Sequence, residues 1–316
     1  MEQIAPNKDH YVHVVIIASD PYPFTKSNQY KYIVIIMKKD NFLIIGGTGK
    51  TGRKVVESLE LLNQNVRVGS RSSQPAFDWN NEDTWEDALE GVDKMYITYQ
   101  PDLAVPGAKQ SIENLIVLAQ QKNLKKVVLL SGKGEREAEL CEQVVISSGL
   151  NYTIVRASWF NQNFSESFFL EPIQQGFVAL PQADVQVPYV DTVDIADVVV
   201  EALLHEEHDG QIYQLTGPTT LSFKEAVAEI AKATQRDIAF TPITIEEYVA
   251  AMKEHGVPAD FIWLVEYLFT EVLGNPMVSE ISNDIEKVLK RKPKSFVEYV
   301  RETKKTGIWE SITQNA

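Results

Sequence analysis

The chain carries a single cysteine, Cys141, among 316 residues. No internal disulfide can form, and no thiolate or Cys/His cage for a metal can be assembled, with five histidines scattered along the sequence. No metal site is expected. This cysteine usage fits a reducing compartment, so a cytoplasmic location is expected. Long basic runs are also missing: 30 Lys+Arg against 44 Asp+Glu leave a formal net charge of −14. That argues against nucleic acid, whose affinity comes largely from Lys and Arg on phosphates. It leaves room for a small anionic cofactor held by local donors. No apolar run approaches the roughly 20 residues that span a bilayer, so no membrane role is expected. Internal repeats and low-complexity linkers are absent too. With 44% hydrophobic residues the chain can bury a sizeable core, which excludes disorder over its whole length.

Residues 1–36 hold two short apolar runs, VHVVIIAS and YIVII, without the basic start and single apolar core of a signal peptide. The next stretch, MKKDNFLIIGGTGKTG, reads as the natural beginning of a fold, with Met37 as initiator. Residues 1–36 are therefore expected to be an N-terminal extension. The alternative is that the two runs pair as extra strands.

From residue 40 to about residue 200, short apolar runs alternate with amphipathic stretches. NFLIIGG, NVRVGSR, DKMYITY, KKVVLLSG and NYTIVRASWF read as strands, and GRKVVESLELLNQ, TWEDALEGV, GAKQSIENLIVLAQQKN and REAELCEQVVISSG as the helices between them. Such alternation predicts an α/β fold, a doubly wound parallel sheet with helices on both faces. Nearly continuous apolar runs are what a strand buried on both faces requires. Further on, VDTVDIADVVVEALL and SFKEAVAEIAKATQ are helical, the second opened by a capping box at Ser222 and Glu225. IYQLTGP reads as one more strand, and the chain beyond Ile245 as mostly helical. The organisation expected is a Rossmann-like nucleotide-binding part over residues 37–157 and a smaller, mainly helical substrate lobe over residues 158–316, packed on the same domain.

The first strand runs into GGTGKTG, which carries two phosphate-binding spellings. A P-loop needs glycine five positions before Gly49, and that position is Ile44, so the Walker pattern fails. The spacing Gly46-x-x-Gly49-x-x-Gly52 survives, after a strand and at the start of a helix, which is the context a dinucleotide loop demands. One glycine makes the turn, the next lets backbone approach a pyrophosphate, and the last permits close packing of helix on strand. The helix start then aims its free N–H groups at the phosphates. Thr48 and Thr51 add hydroxyl donors. An NAD site usually follows with an acid about 20 residues on. Here the second strand ends Val66-Arg67-Val68-Gly69-Ser70-Arg71-Ser72, with no acid. Arg71 can fork onto a 2′-phosphate, so NADP(H) is expected in preference to NAD(H).

LIIGGTGKTGRKV, VRVGSRS, VVLLSG, SGLNYTIVRASWFNQNF and VDTVDIADVVVEAL together resemble the NmrA-like, atypical short-chain dehydrogenase/reductase family, from about residue 40 to about residue 300. SGKGEREAE, RASWFNQNFSESFF and YQLTGP are similar to bacterial relatives of ergot-alkaloid iminium reductases. The group also includes NADPH quinone reductases and proteins that sense the NADPH/NADP ratio. The resemblance implies Gly46, Thr48, Gly49, Lys50, Thr51 and Gly52 at the pyrophosphate and Arg71 at the 2′-phosphate. It implies Asp78 and Trp79 at the adenine, and Tyr99, Gln100 and Pro101 beside the ribose and nicotinamide. Tyr189 is implied near the mouth of a substrate pocket.

Ordinary short-chain dehydrogenases protonate a carbonyl oxygen with a tyrosine assisted by a lysine four residues on. Ser131 occupies the family's serine position, yet REAELCEQVVISSG contains neither tyrosine nor lysine. The catalytic residues are therefore unassigned, with Ser131 and Lys133 as weak candidates and Arg136 as a further cation. Trp159, Phe160 and Asn163, in SWFNQNF, suit a small planar organic substrate. Phe164 and Phe168 either join that wall or form core contacts, and Asp191 and Asp194 are expected to cap the next helix. The function expected is NADPH-dependent hydride transfer to a conjugated acceptor: a quinone, an iminium or an electron-poor alkene. The alternative is a non-catalytic NADP(H) redox sensor acting through a protein partner.

Overall fold

The computed structural model describes residues 13–15, 33–35 and 39–311. Strands β1 (His13–Val15) and β2 (Ile33–Ile35) pair antiparallel, His13 opposite Ile35, in a two-stranded sheet of their own. They belong to a separate unit, Met1–Asp40. The two apolar runs thus pair with each other, and the expected start at Met37 lies outside the described residues.

The second unit begins at Asn41. Strands β3 (Asn41–Ile45), β4 (Asn65–Gly69), β5 (Lys94–Ile97), β6 (Lys126–Gly132) and β7 (Asn151–Ala157) build its main sheet. Strand β8 (Phe177–Leu180) leaves that sheet, and β9 (Gln211–Leu215) returns to its edge. The order is β4-β3-β5-β6-β7-β9, parallel throughout. The chain goes one way from β3 to β4 and the other way to β5. Open α/β sheets bind ligands at the strand C-termini of such a switch point.

The period of two along β3 sends Leu43 and Ile45 into one core and Phe42 and Ile44 into the other. Helices α1 (Gly52–Leu61), α2 (Trp85–Leu89), α3 (Ala108–Gln121) and α4 (Arg136–Ile146) follow the strands in turn. Ile112, Leu115, Cys141 and Val145, from α3 and α4, cover the Leu43 face. Val55 and Leu59 of α1 cover the Phe42 face. They share it with Ile195 and Val199 of α6 (Thr192–Leu204), which comes after the short α5 (Leu170–Gln175). The doubly wound architecture predicted from the strand runs is present.

A third core belongs to the chain beyond Trp159. It is built around α7 (Phe223–Thr234), with α8 (Ile245–Glu254), α9 (Ala259–Tyr267), α10 (Asp284–Leu289) and α11 (Phe296–Thr303) following. The expected capping box is formed: Ser222 Oγ accepts from Glu225 N at 3.2 Å, and the Glu225 carboxylate accepts from Ser222 N at 2.7 Å. Asp191 caps α6 through Val193 N at 2.9 Å. Asp194 does not share that role; its carboxylate is drawn to Arg291 and to Lys294 N, tying α6 to the segment before α11. The lobe is less purely helical than its sequence implies, because β8 pairs parallel with β10 (Ala239–Pro242). Among the described residues, no helix is long and apolar enough to cross a membrane.

Phe223 sits at the centre of this third core, fully buried, with its ring centroid 5.4 Å from Trp159, 5.5 Å from Phe169 and 5.7 Å from Phe269. Phe223→Ala is expected to lower stability by about 3–5 kcal/mol, read from urea unfolding, because it opens a cavity among rings that cannot close over it.

Candidate active site

The glycine turn owes its shape to two close approaches. Gly46 has φ +71°, and a Cβ there would lie 2.0 Å from Thr98 Oγ1. A Cβ on Gly52 would lie 2.2 Å from the Gly46 carbonyl oxygen, so only glycine lets α1 begin so near β3. A Cβ on Gly49 would meet only that same carbonyl oxygen, at 3.1 Å, and is otherwise unobstructed by protein. The first turn of α1 contains no acid, and its N-cap Thr51 makes no side-chain cap. Among the described residues, the amides of Lys50, Thr51 and Gly52 donate to no backbone carbonyl. A helix start in that condition is a ready anion site.

Beside the turn lies a cavity of about 410 Å³, within the range of small-molecule sites. It opens at the C-terminal ends of β3, β5, β6 and β7, as the switch point requires. Gly46, Gly49, Lys50 and Thr51 form one wall, and Tyr99, Gln100 and Pro101 another. Trp159, Phe160 and Asn163 come in from the end of β7, and Ser131 and Lys133 from the end of β6.

Individual side chains are held by specific bonds. Lys50 Nζ donates to Asn163 Oδ1 at 2.9 Å, and Arg53 Nη2 pairs with Glu166 at 2.8 Å, so two cations of the loop region reach the substrate lobe. Burial lowers the proton affinity of Lys50, Arg53 adds to the effect and Glu166 opposes it. Thr51 is buried, and its Oγ1 accepts from Tyr96 OH at 3.0 Å, which leaves its own proton to donate. Thr48 is exposed on the loop.

Arg71 is exposed just past β4. Ser70 and Ser72 beside it share a hydroxyl contact at 3.3 Å. Trp79 donates from Nε1 to Thr98 O at 3.1 Å and packs on Tyr99 with centroids 4.6 Å apart. The Asp78 carboxylate accepts from Asn80 N at 3.0 Å and so folds its own turn.

One expectation needs correction. Tyr189 does not reach the cavity: it is buried in the lobe core against Phe164, Phe223 and Phe296. Lys133 lines the cavity, but its ammonium donates to Met277 O at 2.6 Å, clamping a segment of the lobe. Ser131 is likewise engaged, donating to Glu142 at 2.6 Å. Glu142 is buried and held by Arg156, whose Nε and Nη2 reach it at 2.9 and 2.6 Å. Of the two uncertain phenylalanines, Phe164 is core, while Phe168 lines the cavity and is partly exposed.

The sequence reading missed two contributions to the cavity. Phe261, Leu264 and Leu268, in and just after α9, form an apolar wall whose signal was the run FIWLVEYLF. Asp102 and Glu135 line the cavity as well, with nothing in their spacing to advertise them. The Tyr267 hydroxyl accepts from Glu137 N at 3.4 Å, bringing a phenol to the start of α4 from another element.

The comparisons agree with this architecture. The NmrA-like family matches residues 138–300. Prestalk A differentiation protein A of Dictyostelium discoideum is 31% identical over 286 residues, covering 85% of this chain and 94% of that protein. The chain belongs to the NmrA-like family. Another relative is agroclavine dehydrogenase of Claviceps fusiformis, 25% identical, with 84% of this chain and 98% of that one covered. Among solved structures, the NADPH-dependent quinone oxidoreductase of Escherichia coli complexed with NADPH superposes with a TM-score of 0.67 at 21% identity. That match covers 83% of this chain and 99% of the other, and it shows the same fold. In this NmrA-like chain, α4 contains neither tyrosine nor lysine.

The Arg156–Glu142 pair is testable apart from any ligand. Arg156→Met should lower stability by about 3–5 kcal/mol, because it strands a buried carboxylate. Adding Glu142→Gln should recover most of that loss in the same unfolding assay.

Proposed function

We propose that this protein is a reductase that takes hydride from NADPH and passes it to a conjugated organic acceptor such as a quinone, an iminium or an electron-poor alkene. The observation that carries the reading is the glycine turn opening directly onto a cavity whose far walls are aromatic and apolar. A nicotinamide dinucleotide fits the residues present. The uncapped start of α1 and the unobstructed side of Gly49 suit a pyrophosphate, with Lys50 and Thr51 as added donors. Thr48 and Gly46 complete the turn, and Gly52 sets the helix against it. When bound, the dinucleotide would supply hydride; the chain's own part is to bind, orient and keep water out.

Arg71, exposed and without an ion pair among the described residues, is assigned to the 2′-phosphate, with Ser70 and Ser72 as further donors. Asp78 and Trp79 are assigned to the adenine side. Trp79 is held by Thr98 and packs at a tilt on Tyr99, which gives it a fixed face to offer. Tyr99, Gln100 and Pro101 would flank the ribose and nicotinamide, and Trp159, Phe160, Phe168 and Asn163 the acceptor. The names of two relatives support the class: one is a dehydrogenase and the other an NADPH-dependent quinone oxidoreductase. The aromatic and apolar wall facing the loop favours a reductase over a pure redox sensor.

Equilibrium titration with NADPH and NADH tests the cofactor assignment. Arg71→Ala should weaken NADPH binding by about 10- to 100-fold, the loss of one or two charge-assisted hydrogen bonds, and leave NADH binding unchanged. Equal weakening of both would remove Arg71 from the 2′-phosphate. A panel of quinones, iminium salts and enones that gives no NADPH oxidation above background would sink the reductase reading itself.

A further inference from the structure

The reductase reading leaves the proton unassigned. Hydride addition to a quinone or enone puts negative charge on a heteroatom, and some group must neutralise it. The usual phenol is missing from α4. The engaged Ser131 and Lys133 are poor substitutes, one bonded to a buried carboxylate and the other to a backbone carbonyl.

Two other groups line the same cavity. Asp102 lies in the loop after β5, one residue beyond Pro101, and Glu135 lies just before α4. Their carboxyls meet within hydrogen-bonding reach. Asp102 also accepts from Ala104 N at 2.8 Å, whereas Glu135 Oε2 is buried and meets no donor. The Glu135 side chain is folded back so tightly that a Cβ on Gly132 would fall 1.9 Å from its Oε1. Two carboxylates have only acceptors to offer each other, so a bond between them requires a proton on one. An orphaned buried oxygen is costly when charged and tolerable when the group is neutral.

We propose that the Asp102–Glu135 pair shares one proton at the cavity wall and that Glu135 is the proton donor to the reduced acceptor. When the acceptor takes hydride, with its two electrons, from the reduced nicotinamide dinucleotide, the electron pair of its π bond moves to the far heteroatom. The Glu135 carboxyl then gives that atom its proton: the carboxyl O–H bond breaks and the product O–H bond forms. Donation leaves two carboxylates side by side, Asp102 eased by its bond from Ala104 N, and their mutual repulsion draws a proton back from solvent after product leaves. The acceptor gains two electrons and the dinucleotide loses two.

The charges around the pair agree with a held proton. Burial raises the proton affinity of Glu135 well above that of an ordinary glutamate, and the carboxylates of Asp102 and Glu142 raise it further. Burial raises Asp102 too, against the opposing bonds from Ala104 and Glu135. Arg156 and Ser131 hold Glu142. Across the contact, Cys141 feels Asp102 and Glu142 and is pushed up to about 12, chiefly by burial, so it supplies no competing anion. Tyr267, from α9, is raised mainly by burial with Glu135 and Glu137 adding to it.

This deepens the reductase reading by narrowing the substrate. Acceptors whose reduced form must gain a proton would depend on Glu135; an iminium, which becomes a neutral amine on hydride addition, would not. The test uses full-length protein and the variant Glu135→Gln. In ligand-free protein at pH 7, difference infrared spectroscopy should show a protonated carboxyl band that Glu135→Gln removes. Because the native pair holds a proton that the unfolded chain releases, wild-type stability should fall as pH rises from the ordinary carboxyl range toward the pair's own, and Glu135→Gln should flatten that slope. With a quinone acceptor, kcat should fall about 100-fold or more while NADPH affinity is unchanged. With an iminium acceptor, kcat should change by less than about threefold, an asymmetry that a merely structural role would not produce. No carboxyl band, or equal losses on both acceptors, overturns the proposal. A wild type that shows the band yet reduces no acceptor overturns the donor role together with the reductase reading, leaving only the shared proton.

Discussion

The contact on which the site depends is the approach of α1 to β3, where Gly52 lies against the carbonyl oxygen of Gly46. A methyl group at Gly52 would occupy the space of that oxygen, so the helix would have to draw back. With the helix in place, its uncapped amides lie at the C-terminal edge of the sheet, at the switch between β3 and β5. Every other feature of the cavity is arranged around that fixed edge. Thr98 Oγ1 donates to Ile45 O at 3.0 Å and holds the β5 end against the same turn, and Trp79 in turn bonds to the Thr98 carbonyl.

The cavity is also a seam. One side comes from the sheet and its turns, the other from the chain after β7, and side-chain bonds cross between them. Lys50 reaches Asn163, Arg53 reaches Glu166, and Lys133 reaches the carbonyl of Met277. Exposed pairs such as Arg53–Glu166 contribute little stability each. They can therefore be exchanged for contacts to a ligand at small cost. If the turn takes the proposed pyrophosphate, Lys50 would exchange the Asn163 amide oxygen for a stronger acceptor.

The sheet was legible because its strands are buried on both faces, so NFLII or KVVLL leaves little ambiguity, and the glycine spacing follows directly from close packing. The lobe was less so. β8 is four residues long and β10 ends in a proline, so neither carries a pattern long enough to read. Tyr189 was assigned to the pocket by resemblance, but its environment is decided by Phe164, Phe223 and Phe296, which come from three distant stretches of chain. Asp102 and Glu135 illustrate the same limit. They are 33 positions apart in the numbering and become neighbours only because β5 and β6 pair side by side. No linear spacing encodes that meeting.

The distribution of charge adds a constraint that the net value hides. A chain with a formal charge of −14 repels an anionic cofactor in general, so attraction must be local. Lys50, Arg53 and the start of α1 supply it at one wall of the cavity, while Asp102, Glu135 and Glu142 gather at and behind another. A molecule with an anionic diphosphate and a ring that becomes cationic on oxidation meets opposite signs at the two places. The diphosphate is drawn to the turn, and the acidic wall favours the cationic end facing it. The same acidic wall disfavours any anion formed on the acceptor, so a proton must reach that anion promptly. On the proposed reading, local charge would favour one orientation of a dinucleotide and set the chemical demand on the second molecule.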